Sequence, residues 1–302
     1  MTATGLGAQI KLDGQSALVR AVGRFPWLGL PLFKLYMIVR FLVQRTTTVR
    51  LYYGATIKID LWQMMLQRMF YFRCWEPNIS SLVEDILRRG DVFVDLGAHI
   101  GYYTLLASKL VGSEGAVVAV EALPSNFAML QENVSQNAAG NVRAVNCAVS
   151  DRRGDLTIFS GAFRNTGTAT TIELPGRAVV GRVASLPLDE ILTGDERARV
   201  ALIKIDIEGR ELQVLQRLLE TLDAYPAGVQ VICEFDTLIG GEALRAAFLG
   251  FLAVGFEAYR IPNDYSWESY LRWRGPEPLA KVTDLPPGGC DILFRPADRS
   301  LT

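Results

Sequence analysis

Residues 91–107 read DVFVDLGAHIGYYTLLA. An apolar run ends in Asp95, Gly97 and Gly101 bracket a bend, and a helix-forming run starts at Tyr102. The next apolar run, AVVAVEA, ends in Glu121. Two later runs, VALIKIDIEG and GVQVICEFD, carry Asp206 and Glu208, then Glu234 and Asp236, at their ends. Carboxylates at neighbouring strand tips suit a ligand with cationic and hydroxyl groups. The same groups can take a proton from a hydroxyl nucleophile or hold a divalent cation.

The bend discriminates between two ligand classes. A dinucleotide requires G-x-G-x-x-G, with a pyrophosphate over the helix N-terminus. Here Ala98 stands where the second glycine would be. The spacing D-x-G-x-x-x-G instead fits S-adenosylmethionine. Asp95 would hold its amino group, directly or through water. The loop amides around Gly97, Ala98, His99 and Gly101, with Thr104, would meet its carboxylate. Glu121 would accept both ribose hydroxyls, flanked by Ala122 and Leu123. Asn146, Cys147 and Ala148 end the third strand, where adenine is expected, and Asn126 is either a polar residue of the helix surface or one that reaches the loop.

Methyl transfer is an in-line displacement, so the protein must align a nucleophile and exclude water. Asp206 and Glu234 are read as base or acceptor-orienting groups, with His99, the only histidine, as a secondary base. Two alternatives stay open. Asp206 with Glu234 or Asp236 could hold Mg²⁺, or the acids could be structural, pairing with Lys204 or Arg210. Glu208 reads as a helix-capping or loop-ordering residue. Lys204 lies in an apolar strand and needs a partner that the sequence does not name.

The elements that must position these groups alternate. From Asp91 onward, strand and helix patterns succeed one another as βαβαβ, which means an α/β fold with a mostly parallel sheet and helices on both faces. VRAVNCAV reads as one strand. Residues 151–190 break the rhythm with DLTIFS, TATTIEL and AVVGRVAS, an expected antiparallel β insertion. TTVRLYYGATIKIDLW reads as a hairpin, and NISSLVEDILRRG as a helix capped by Asn78 or Ser80 and ended by Gly90. Residues 1–47 form an N-terminal helical extension and 48–302 the catalytic domain. The segment 262–289 is expected to be the part least tied to the core, lying over the substrate side. Tyr102, Tyr103, Phe163, Tyr265, Trp267 and Trp273 are acceptor-stacking candidates or packing residues.

The 302 residues carry a formal net charge of −1, which argues against a nucleic-acid partner. Four cysteines without a CxxC pair suit a reducing, cytoplasmic setting and no zinc site. Residues 27–43, WLGLPLFKLYMIVRFLV, are interrupted by Pro31, Lys34 and Arg40. They read as an amphipathic helix on the domain or on a second copy of the chain (a homodimer), or as a peripheral membrane contact.

FVDLGAHIGYYT, VEALPSNFAMLQENV, VNCAVSD and IKIDIEGRELQVLQ, with WEPNISSLV and SLPLDEIL, together resemble the FkbM family of S-adenosylmethionine-dependent methyltransferases over about residues 48–240. The resemblance implies a Rossmann-like class I methyltransferase with a seven-stranded sheet. It also implies O-methylation of a sugar, glycan or natural-product hydroxyl, with S-adenosylhomocysteine as product. His99 replaces the asparagine common in the family, and Ala122-Leu123 depart from its usual residues. The competing readings are a nicotinamide-dependent oxidoreductase and a membrane-docked or partner-binding module with a degenerate pocket.

Overall fold

The computed structural model describes residues 46–63, 65–161 and 166–297, without the side chains of 237–239. The expectations for residues 1–45, including the apolar segment 27–43, and for Phe163 lie outside the described residues.

The chain enters through a hairpin of β1 (Thr46–Arg50) and β2 (Thr56–Asp60), followed by α1 (Leu66–Phe72) and α2 (Pro77–Ile86). The alternating section then runs through β3 (Val92–Leu96), α3 (Tyr102–Val111), β4 (Ala116–Val120), α4 (Pro124–Gln136) and β5 (Val142–Val145). Three strands of a side sheet follow: β6 (Ala148–Val149), β7 (Gly154–Phe159) and β8 (Val179–Leu186). The short helices α5 (Leu188–Ile191) and α6 (Gly194–Arg197) lead back to β9 (Val200–Ile205), α7 (Glu211–Glu220) and β10 (Gln230–Asp236). The chain closes with α8 (Thr237–Ala253, broken at Gly241), β11 (Phe256–Ile261), α9 (Trp267–Arg272), β12 (Ala280–Val282) and β13 (Gly289–Pro296).

The central sheet has the order β12-β11-β13-β10-β9-β3-β4-β5. Strands β5, β4, β3, β9 and β10 are parallel, and β13 runs antiparallel between β10 and β11. This is the expected Rossmann-like methyltransferase sheet of seven strands, with β12 added as a three-residue eighth at its edge. The winding reverses between β3 and β9, which opens a crevice at their C-terminal tips.

Burial on both faces explains the near-continuous apolar strands. In β3, Val92, Val94 and Leu96 face a core shared with Val214, Leu215 and Leu218 of α7 and Phe248 and Phe251 of α8. Phe93, between them, faces the opposite core with Ile57 of the hairpin, Ile79 and Val83 of α2 and Leu105 and Leu106 of α3.

Four expectations are corrected. VRAVNCAV is not one strand. It breaks at Asn146–Cys147, so that β6 leaves the main sheet and pairs in parallel with β8. Within residues 151–190 the β7–β8 pair is antiparallel, as expected, and β6, which precedes that span, adds to it in parallel. TATTIEL is not a strand beyond a single bridge at Thr170; its threonines bond to the β9–α7 turn instead. Asn78 and Ser80 do not cap α2, which starts at Pro77 after Glu76 in a left-handed conformation and ends before Gly90. Finally, 262–289 is not loose. Tyr270 and Trp273 are buried, Tyr270 Oη accepts from the Glu76 amide at 3.0 Å, and Trp273 Nε1 donates to Asn78 Oδ1 at 3.3 Å.

Candidate active site

The crevice is a cavity, one side of it bounded by Asp95, Gly97–Ile100, Glu121–Leu123 and Asn126 at and after the first two strand tips. Cys147, Ala148, Val149 and Ile158 close the far side. The cavity is lined as well by Met65, Met69, Trp75, Tyr103, Lys204, Asp206, Glu208 and Arg210.

Asp95 ends β3 and is buried. Thr104 Oγ1 donates to its Oδ2 at 2.6 Å. Thr104 is itself fully buried and off the cavity wall, so it steadies Asp95 rather than meeting a ligand. Burial pushes the Asp95 carboxyl above its ordinary range, against the opposing pull of Lys204 and Thr104.

The bend is more committed internally than its sequence suggests. The amides of Gly97 and Ala98 both donate to Val120 O, that of His99 to Glu121 Oε2 at 2.8 Å, and that of Gly101 to Ala98 O. These amides are therefore not open donors for a ligand carboxylate. The glycines serve packing: Gly97 (φ +84°) lies against the Asp206 carbonyl, and a Cβ at Gly101 (φ +95°) would meet Leu130 Cδ1 at 2.7 Å. His99 is left-handed at φ 51°, a conformation that asparagine and histidine tolerate better than most residues. This accounts for the exchange of one for the other at this position.

Glu121 Oε2 accepts from the His99 amide, while Oε1 accepts from the Leu123 amide at 2.9 Å and more weakly from Asn126 Nδ2 at 3.5 Å. A carboxylate has about four lone-pair sites, so capacity remains on its cavity side. Burial pushes its pKa up to about 7, despite these donors. Asn146 does not line the cavity. Its amide donates to the backbone oxygens of Glu121 and Ala122 and fixes the strand tip instead. Thr166, which the sequence reading missed, also lines the cavity. Its hydroxyl contacts Gln63 Oε1 at 2.7 Å, Asn126 Oδ1 at 3.1 Å and His99 Nε2 at 3.3 Å. Burial lowers His99 to about 4, against the opposing pull of the Asp206 charge.

Lys204 finds its partner in Asp206, with Nζ 2.6 Å from Oδ2, and its ammonium sits 4.9 Å from the centre of the Tyr103 ring. Burial pulls the ammonium down, but the charges of Asp206, Glu76 and Asp95 outweigh it and hold the pKa above its ordinary value. Burial likewise pushes Asp206 up, and Lys204 outweighs that, holding Asp206 below the usual range. Glu234 is driven far up, first by the Asp206 charge and then by burial. The two carboxyls of the Asp206–Glu234 pair are thus pushed in opposite directions.

Asp206, Glu208 and Glu234 bring carboxylate oxygens within 4.8 Å of one another, and Asp236 is not in that group. Glu208 is thus in the cavity rather than capping α7. The turn before α7 is ordered by Glu211, whose carboxylate accepts from the amides of Ile207 and Gly209, and α7 has no side-chain cap. Burial, then the charges of Asp206 and Glu211, push Glu208 up to about 8. The three acids could supply oxygens to a metal. However, Lys204 Nζ already lies 2.6 Å from Asp206 Oδ2 in this group, and a cation would compete with that ammonium.

Behind this group lies a further buried network. Glu76 accepts from Tyr103 Oη at 2.7 Å, Tyr265 Oη at 2.5 Å and Asn263 Nδ2 at 3.1 Å. Asn263 also donates to Asp291 Oδ2 at 2.9 Å. The aromatic candidates are packing residues for the most part. Tyr102, Tyr103 and Trp273 are buried, Trp267 packs on Tyr71 and Phe72, and Tyr265 stacks on Trp75.

The methyltransferase FkbM domain model matches residues 95–261, more than half of the chain. The 31-O-demethyl-FK506 methyltransferase FkbM of Streptomyces tacrolimicus is 31% identical over 234 residues, covering 67% of this chain and 86% of that protein. The hexuronic acid methyltransferase AglP of Haloferax volcanii is 26% identical over 149 residues, 49% of this chain. This chain spans only 59% of the AglP length. A solved structure of methyltransferase FkbM from Methylobacillus flagellatus KT is 14% identical and covers 92% of this chain and 62% of its own, with a TM-score of 0.41. Among the described residues, no helix is long and apolar enough to cross a membrane.

Proposed function

We propose, on the premise that this chain belongs to the FkbM methyltransferase family, that it uses S-adenosylmethionine to O-methylate a hydroxyl of a sugar, glycan or natural product. The observation that carries this is the pairing of Asp95 and Glu121 on adjacent strand tips around one cavity that also holds Asp206 and Glu208. The donor set fits the cofactor. Four carboxylates face the cavity against Lys204 and Arg210, and burial holds Asp95, Glu121 and Glu208 above their ordinary pKa values. A ligand with cationic groups and a ribose diol answers both the excess of acids and the unfilled lone pairs of Glu121.

In this reading Glu121 and Asn126 face the ribose, Cys147 and Ala148 the adenine, and Asp95 and Ala98 the amino-acid tail. When bound, the cofactor supplies a methyl group on a sulfonium. Asp206, locked by Lys204, is too acidic to be an efficient base and serves to orient charge beside the methyl group. Glu208 has the better-matched pKa. An acceptor hydroxyl attacking the methyl carbon gives its proton to Glu208, as the carbon–oxygen bond forms and the carbon–sulfur bond breaks. Asp206 and Glu234 thus act as a proton-sharing pair beside the reacting atoms, and His99 as a cofactor-side wall. No step passes through a metal. The nicotinamide reading is not carried further, since the matched family is one of methyltransferases. The hexuronic acid and 31-O-demethyl-FK506 named for the relatives support a hydroxyl-bearing small molecule or glycan.

Calorimetric titration of the full chain with S-adenosylhomocysteine tests the reading. Saturable one-to-one binding, lost in Asp95→Asn and Glu121→Ala, is expected. A folded sample that takes up none, after removal of any copurified ligand, rejects it.

A further inference from the structure

Arg210 lies at the head of α7, on the cavity wall beyond Asp206 and Glu208. It is half-buried, and its Nε donates to Thr171 Oγ1 at 2.7 Å. Thr170, next in the same segment, donates to the Glu208 backbone oxygen at 2.5 Å. The insertion thus grips the β9–α7 turn on both sides of Gly209 and sets the direction of the guanidinium. The other cation on the wall, Lys204, is consumed by Asp206. Among the described residues Arg210 has no carboxylate partner, and its bond to Thr171 leaves both terminal nitrogens without a protein acceptor there. By contrast, Arg143, Arg153, Arg217 and Arg245 are all ion-paired.

A guanidinium held through Nε and open at its two terminal nitrogens presents part of the fork that binds a carboxylate. Leaving such a charge partly desolvated and unpaired is unfavourable, and a ligand anion relieves it. The cofactor's own carboxylate is one source. In the reading above that tail lies at Asp95 and Ala98, by the β3 tip, whereas Arg210 stands at the head of α7, past the β9 tip. A carboxylate on the acceptor is the second source, and the titration below separates the two.

We infer that Arg210 reads a carboxylate on the methyl acceptor, so that the acceptor is an acidic sugar or a similarly anionic hydroxy compound. This rests on the methyltransferase reading and deepens it. The acid binds the guanidinium while the neighbouring hydroxyl is turned toward Glu208. The site would then bind an anion at one end and deprotonate a hydroxyl at the other, with the carboxylates of Asp206 and Glu208 disfavouring an anion placed anywhere else in the cavity.

The experiment titrates the S-adenosylhomocysteine-saturated full chain with two probes that differ only in charge, methyl glucuronoside and methyl glucoside. The acidic sugar is expected to bind at least about tenfold more tightly. In Arg210→Met that advantage shrinks to within about threefold, and Arg210→Lys retains part of it. The ratio of the two sugars normalises any change in folded fraction. Equal affinities, no binding of the acidic sugar, or an advantage that survives in Arg210→Met each overturn the inference. If Arg210→Met instead weakens S-adenosylhomocysteine itself by tenfold or more, the guanidinium serves the cofactor tail and the inference is likewise overturned. A wild-type chain that fails to bind S-adenosylhomocysteine rejects the methyltransferase reading, whereas binding without charge preference rejects only the role of Arg210.

Discussion

A Cβ added at Gly97 would stand 1.7 Å from the backbone carbonyl oxygen of Asp206. The first and fourth parallel strand ends therefore touch, backbone to backbone, at the floor of the cavity. The Asp206 amide extends the contact by donating to Leu96 O at 3.0 Å. Gly97→Ala meets both this overlap and a φ of +84°. It is expected to lose more than about 4 kcal/mol or fail to fold. Gly90→Ala is the control, because its φ of +89° carries the same backbone strain with nothing within 4 Å. It should lose only about 1–2 kcal/mol. Chemical denaturation of the two variants measures the difference. Equal losses would mean that the carbonyl contact is immaterial.

Lys204 and Asp206 form a pair whose side chains are 5% and 32% exposed. Lys204→Met leaves the Asp206 charge without its cation and is expected to destabilise by about 3 kcal/mol, at the lower end for a broken buried pair because Asp206 still faces the cavity. Lys204→Met combined with Asp206→Asn should recover most of that loss. A double-mutant cycle on unfolding free energies reads the coupling, and additive losses would show that the pair contributes no stability.

The rate of methyl transfer should depend on pH through Glu208. A base is active when deprotonated, so kcat/KM is expected to rise with pH and level off above about 8. Glu208→Gln should lower kcat by about 10²-fold or more and remove the rise. It should leave S-adenosylhomocysteine affinity within about threefold. A pH profile that keeps its shape in the variant would place the base elsewhere.

Glu121 and Asp291 make stability depend on pH in the opposite sense to a surface carboxylate. Burial raises both to about 7 in the folded chain. Between their ordinary values and about 7, the folded state binds more protons than the unfolded state, so stability falls as pH rises through that window. For Glu121 alone the change amounts to about 3 kcal/mol. The unfolding midpoint of the ligand-free chain should therefore be higher at pH 5.5 than at pH 8, and Asp291→Asn should reduce the slope. A midpoint that climbs across this interval would contradict the assignment.

Much of the site was legible because strand tips are a local property. A buried apolar run ending in an acid places that acid at the end of a parallel strand, and the alternation of strand and helix puts all such ends on one edge. This is why Asp95, Glu121 and Asp206 converge as their positions in sequence imply. Glu234 joins them in the acid group, but Asp236, two residues on, does not, and Glu208 does. Glu208 enters through a left-handed turn at φ 57°, whereas period-two alternation assumes an extended strand.

What the amino-acid order determined by itself was the class of sheet, the acids at its tips and the family. Tertiary structure alone decided which acids gather at one cavity and in which direction the pKa of each is pushed. Those outcomes depend on burial and on neighbours brought in from distant elements: Lys204 on Asp206, Tyr265 and Asn263 on Glu76, Thr170 and Thr171 on the turn that carries Glu208 and Arg210. Periodicity along one chain segment records which side of an element is apolar. The field at a buried carboxylate is a sum over every element packed around it.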